Sequence, residues 1–84
     1  MKRADVTYGQ LDSVLRSLGF SCEIVAKDGE ARRYDHESGA VILLPAYPAD
    51  DHVLEYHLVM VRVTLENFGV ADPAAFDAKL KRAG

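Results

Sequence analysis

The stretch from Val6 to Phe20 carries a full set of helix signals and constrains the fold more than any other part of the chain. Thr7 can cap a helix with its hydroxyl. Gln10, three residues on, can return a bond to the Thr7 backbone N–H and complete a capping box. Val6 and Leu11 occupy the two positions of a hydrophobic staple. Leu11, Val14, Leu15 and Leu18 recur at helical spacing and form one apolar stripe. Gly19 supplies the left-handed residue that ends such a helix, and Phe20 can then fold back on Leu15. These signals predict a helix over Tyr8–Leu18 with one face that other elements must cover.

The following residues alternate. Cys22, Ile24 and Ala26 share one face of a predicted strand, the apolar one; Glu23, Val25 and Lys27 share the other. Asp28-Gly29 is a type I′ hairpin signal, with Gly29 at positive φ. A second strand, Ala31–Asp35, returns to the turn His36-Glu37-Ser38-Gly39. The third strand is Ala40–Leu44, and Pro45 ends it. The three strands make an antiparallel meander.

After a loop from Pro45 to Pro48, Asp50 and Asp51 are both candidate N-caps. Leu54, Leu58, Val61, Leu65 and Phe68 give a second helical stripe, so a helix is expected over 53–68. A competing strand signal runs through it, because Val59, Val61 and Val63 alternate with Met60, Arg62 and Thr64. Gly69-Val70 repeats the C-terminal signature, with Val70 able to reach Leu65. Asp72-Pro73 then opens a short helix to about Arg82. The fold class is α+β: a three-stranded antiparallel sheet packed by helices, in the order α-β-β-β-α-α.

Composition sets the limits of function. The chain has 84 residues, 49% of them hydrophobic, and is read as a single domain, 1–84. Its net charge of −3 leaves no basic footprint over the whole surface, so any nucleic-acid binding must use a local patch. The single Cys22 excludes an internal disulfide and suits a reducing, cytoplasmic setting. No apolar run is long enough to span a bilayer, and the N-terminus lacks the apolar core of a signal peptide.

The chemistry-bearing residues are few. His36 lies in a predicted turn and His57 beside the second helical stripe. A catalytic His on either is weighed against an exposed turn residue and a packing residue. Asp50, Asp51, His52, Glu55 and His57 resemble a ligand cluster on paper, since residues three and four apart share a helix face. The plainer reading is carboxylates at the positive end of a helix dipole. No spacing matches a zinc site, and neither a metal nor a cofactor is expected. Cys22 reads as a buried structural thiol. Lys27, Arg32 and Arg33 form a local basic cluster at the first hairpin, interleaved with acids, and Lys79, Lys81 and Arg82 form another near the end. Tyr56, Met60 and Val63, with Val53, stand off the main stripe of the second helix. They pack either under the third helix or against another chain, the latter implying a homodimer or a partner face.

The stretches Leu11 to Phe20 (LDSVLRSLGF), Gly29 to Pro45 (GEARRYDHESGAVILLP) and Leu65 to Val70 (LENFGV) together resemble the HicA (YcfA-like) toxin family. The resemblance covers about the first 70 residues. It implies a fold close to a double-stranded-RNA-binding domain. The family members are small ribonucleases of toxin–antitoxin pairs that cut messenger RNA, and an antitoxin partner covers their active site. In the family a Gly-Ser-His pattern follows the first hairpin turn. Here it reads Gly29-Glu30-Ala31, so the catalytic position falls on Ala31, which can neither take nor give a proton. The helix after the Pro45 loop is longer than in the family, and the tail from Asp72 is extra. The resemblance therefore implies an RNA-associated protein without ribonuclease activity, with RNA met by Lys27, Arg32 and Arg33. His36 and His57 are the candidates for a catalytic role if the chemistry has moved. The alternative is a small homodimeric interaction module with no nucleic-acid role, using Tyr56, Met60 and Val63.

Overall fold

The structure, a computed structural model, describes residues 2–26 and 30–83. Its elements are β1 (Arg3–Thr7), α1 (Tyr8–Ser17), β2 (Ser21–Val25), β3 (Ala31–Asp35), β4 (Val41–Pro45), β5 (His52–Leu54), α2 (Glu55–Asn67) and α3 (Pro73–Ala83). The expected α+β fold with the antiparallel β2-β3-β4 meander is present. The Asp28-Gly29 turn and Lys27 lie outside the described residues.

The local signals of α1 act as the sequence reads. The Thr7 hydroxyl accepts from the Gln10 N–H, and the Gln10 side chain accepts from the Thr7 N–H at 2.7 Å. At the other end Gly19 has φ of 99°, and the Phe20 N–H returns to the Leu15 carbonyl. Gly69 and Val70 close α2 in the same way, Val70 bonding back to Leu65. Asp72 caps α3, its carboxylate accepting from Ala75 N–H at 2.8 Å.

Two strands were not expected from the sequence. β1 and β5 pair antiparallel, with Thr7 opposite His52 and Arg3 opposite Leu54 across an irregular register. This pairing corrects the start of the second helix. Residues 52–54 are drawn into the ladder, so α2 begins at Glu55 with Leu54 as its N-cap and no side-chain cap. Asp50 and Asp51 therefore do not cap α2. The loop before β5 instead completes the N-terminus of α1: Tyr8 N–H bonds the Asp51 carbonyl at 2.9 Å, and Gly9 N–H bonds the Ala49 carbonyl at 2.8 Å. The strand-like Val59-Val61-Val63 alternation is overridden, and all three lie in α2.

One hydrophobic cluster joins the layers. Leu11, Leu15, Val61, Leu65 and Phe76 are fully buried, together with Tyr34, Ile42 and Leu44 on the inner face of the meander. Each large buried side chain contributes about 1.5–3 kcal/mol relative to exposure. α3 closes the cluster by laying Phe76 and Leu80 against α1 and α2. Ile24 departs from expectation: it is exposed, because β2 is an edge strand that pairs with β3 and has no helix packed closely over it. Cys22, beside it, is half-buried and not fully enclosed. Phe68 also leaves the predicted stripe, since it is the C-cap residue of α2 and is exposed.

The closeness of the α1 start to the loop before β5 makes Gly9 a packing constraint. A Cβ there would lie 3.0 Å from the Ala49 carbonyl oxygen and 3.2 Å from the Ala49 Cβ. Replacing a helical glycine ordinarily stabilises. Here Gly9→Val is expected to cost about 1–3 kcal/mol through overpacking. A thermal melt checks it, the midpoint falling several degrees below that of the parent protein.

Candidate functional site

The position that the family resemblance marks opens β3. Ala31 pairs with Val25 of β2 and Pro45 of β4, on the outer face of the meander. Its neighbours along that face are Arg33 and Leu43, and among the described residues its strand partners include no histidine. The two hairpin arginines separate. Alternation sends Arg33 to the outer face, where it is exposed and its Nε lies 3.1 Å from Asp35. Arg32 points to the inner face, is half-buried, and has a buried Nε without a hydrogen-bond partner. The two arginines thus do not form one surface.

The three histidines are each held by backbone or by a buried hydroxyl. His36 Nδ1 accepts from Ser38 N–H at 3.0 Å, and its Nε2–H donates to the Leu18 carbonyl at 3.1 Å. It thereby ties the β3–β4 turn to the C-terminus of α1, with its ring 4.9 Å from that of Phe20. Both nitrogens are used in structure, which argues against a free acid or base there. His52 donates from Nδ1 to the Ala4 carbonyl at 2.8 Å, across the β1–β5 pair.

His57 is the buried one, with 6% of its surface exposed. The Tyr8 hydroxyl accepts from Leu54 N–H at 3.3 Å and donates to His57 Nδ1 at 2.8 Å. That arrangement leaves the neutral imidazole with its proton on Nε2. Burial, aided by the Arg3 charge, lowers the His57 pKa below its ordinary value. Burial also raises that of Tyr8. Tyr47 packs edge-on to Tyr8, with ring centres 5.4 Å apart, and the Tyr56 ring lies 4.2 Å from His57.

Sequence reading missed this dyad and a second linkage. On the inner face of the meander the Tyr34 hydroxyl donates to Asp12 Oδ1 at 2.7 Å, and Arg16 Nε donates to Asp12 Oδ2 at 2.9 Å. Burial and the Asp12 carboxylate push the Tyr34 phenol far above its ordinary range. The only sequence signal was a tyrosine at an inward strand position, since a buried phenol requires a partner.

Asp50, Asp51 and His52 line one shallow cleft with Arg3, and Glu55 is not part of it. Among the described residues no group of three His, Cys, Asp or Glu side chains could hold a metal ion. A cleft of about 740 Å³ runs between β1, α2 and α3. Its walls carry Lys2, Arg3 and Lys81 against Asp5 and Glu55, while Arg62 and Asp77 pair across it at 2.9 Å. None of the histidines lines it, so the proton-transfer groups and the cleft are in different places. Of the surplus apolar set, Val53 is buried in β5, whereas Tyr56, Met60 and Val63 are exposed on α2. α3 does not cover them.

No known protein family, curated protein or solved structure matches the chain. No helix of the described residues is long and apolar enough to cross a membrane.

The Tyr8–His57 dyad yields two expectations. Tyr8→Phe should cost about 1–3 kcal/mol, because Leu54 N–H and His57 Nδ1 both lose a buried partner. The lowered pKa of His57 gives a pH dependence. The unfolded chain binds the proton near pH 6.5 and the folded protein only at lower pH, so stability is full above about 6.5 and falls as pH drops below it. Thermal midpoints at pH 7.5 and 5 check the sign. His57→Gln, which keeps an acceptor for the phenol, should show a shallower decline.

Proposed function

We propose that the chain is a HicA-like protein of toxin–antitoxin type, cytoplasmic and RNA-associated, that does not cleave RNA. The observation that carries the reading is the placement of Ala31. It opens β3 on the outer face of a three-stranded antiparallel sheet whose inner face packs against helices, the frame on which the resemblance places the catalytic His. A methyl group there cannot move a proton, and neither His36 nor His57 stands beside it. His36 sits past the other end of β3, bonded to Leu18 and Ser38, and His57 is held under Tyr8. What remains on the outer face among the described residues is a surface that includes the exposed cation Arg33. An antitoxin-like protein is the partner this reading expects.

Arg33 interacts with Asp35, so any RNA contact has to compete with an internal carboxylate and should be weak and salt-dependent. The second reading, a homodimeric interaction module with no nucleic-acid role, is favoured by the exposed apolar residues of α2.

Nuclease-free protein incubated with labelled single- and double-stranded RNA is expected to leave both intact. Fluorescence anisotropy at low salt should register binding that declines with added salt and weakens in Arg33→Glu. Cleavage lost in His36→Ala or His57→Ala would show that the chemistry had moved. Absence of any RNA binding at low salt would remove the RNA-associated reading and leave the interaction module.

A further inference from the structure

β1 has one partnered edge and one open edge. Its sheet holds only β1 and β5. On the β5 side the Lys2 carbonyl accepts from Glu55 N–H at 3.1 Å, the Ala4 carbonyl accepts from His52 Nδ1 at 2.8 Å, and Tyr8 N–H donates to the Asp51 carbonyl. Alternate residues of an antiparallel strand turn their main-chain groups to opposite edges. Arg3 and Asp5 therefore direct theirs away from β5, and among the described residues no strand meets them.

That open edge lines the cleft between β1, α2 and α3. Five consecutive residues, 2–6, contribute to its wall. An edge presents residues in this way, whereas one face of a strand would present every second residue. Ala4 and Val6 are half-buried toward the core, and Leu58 and Leu80, 7% and 4% exposed, form the apolar floor. Asp5 makes no ion pair among the described residues. Arg3 gives one Nη1 hydrogen to the His52 carbonyl and keeps the rest of its donors.

We propose that the open edge of β1 docks an extended peptide segment of a partner protein, which adds as a third, antiparallel strand. In such pairing the main-chain bonds supply affinity and the flanking side chains specificity. The inference is independent of the HicA-like reading. The Arg3 and Asp5 main-chain groups fix the register, since each exchanges both of its bonds with one peptide residue. Charge fixes the sequence: the peptide residue opposite Asp5 is basic and the one opposite Arg3 acidic. The residue between them lies beside Ala4, turned toward the apolar floor, and is itself apolar. Read from its N-terminus, the segment is basic-apolar-acidic. The α2 and α3 walls on either side favour a single strand over the edge of a second folded sheet.

The probe is the peptide acetyl-Val-Lys-Val-Glu-Val-amide, titrated at low salt into the nitrogen-15-labelled full chain. The amide resonances of Arg3 and Asp5 should move with a dissociation constant on the order of 0.1–1 mM, and those of the β2-β3-β4 meander should stay in place. The same peptide N-methylated at its glutamate keeps every side chain but has no N–H for the Arg3 carbonyl. It should bind at least about tenfold more weakly. The charge-swapped peptide acetyl-Val-Glu-Val-Lys-Val-amide should also bind more weakly, by a factor that shrinks as salt is added. Unmoved Arg3 and Asp5 resonances at about 5 mM peptide, or an N-methylated peptide that binds as well as its parent, would overturn the proposal. Equal binding of the charge-swapped peptide would overturn the charge pairing and the strand direction. Movement of the same two resonances when the protein alone is concentrated would assign the edge to a second copy of the chain and overturn the peptide as its occupant.

Discussion

The Tyr8 hydroxyl is the joint on which the arrangement depends. It sits at the first residue of α1, accepts from the backbone of Leu54 at the start of α2, and donates to His57 one turn later. One buried oxygen thus fixes the ends of two helices and the edge of the β1–β5 pair. A buried phenol left unpaired is costly, and so is a buried imidazole nitrogen. Satisfying both with each other anchors the first turn of α2 to the start of α1. Asp51 and Ala49 reinforce the joint by taking the N–H groups of Tyr8 and Gly9. Gly9 allows the loop to come that close.

From this joint the two layers follow. α3 packs against both α1 and α2 and closes over the core with Phe76 and Leu80. The meander then covers the remaining side, pinned by Tyr34 to Asp12 on α1 and by His36 to the end of the same helix. All three histidines and the most enclosed tyrosines are committed to structural hydrogen bonds. The chemistry that a small ribonuclease needs is missing from the position where the family resemblance places it. Surfaces remain: the outer face of the meander with Arg33, Val41 and Leu43, the mixed-charge cleft beside β1, and the apolar seam of α2.

The sequence by itself determined the elements whose signals are local. Thr7 with Gln10, Gly19 with Phe20, Gly69 with Val70 and Asp72 with Pro73 each bound a helix through bonds spanning a few residues, and all four behave as read. The meander was legible for the same reason, since alternation and turns are short-range. Tertiary structure alone decided the β1–β5 pair, because Thr7 and His52 are too far apart in sequence for either to signal the other. That pair moved the start of α2 and withdrew Asp50 and Asp51 from capping it. It also separated those acids from Glu55 and His57, dissolving the ligand cluster seen on paper. Which apolar side chains stay in water was likewise a question of which faces the neighbouring elements reach. No helix closely covers β2, so Ile24 is exposed, and α3 covers one side of α2 and leaves Tyr56, Met60 and Val63 on the other.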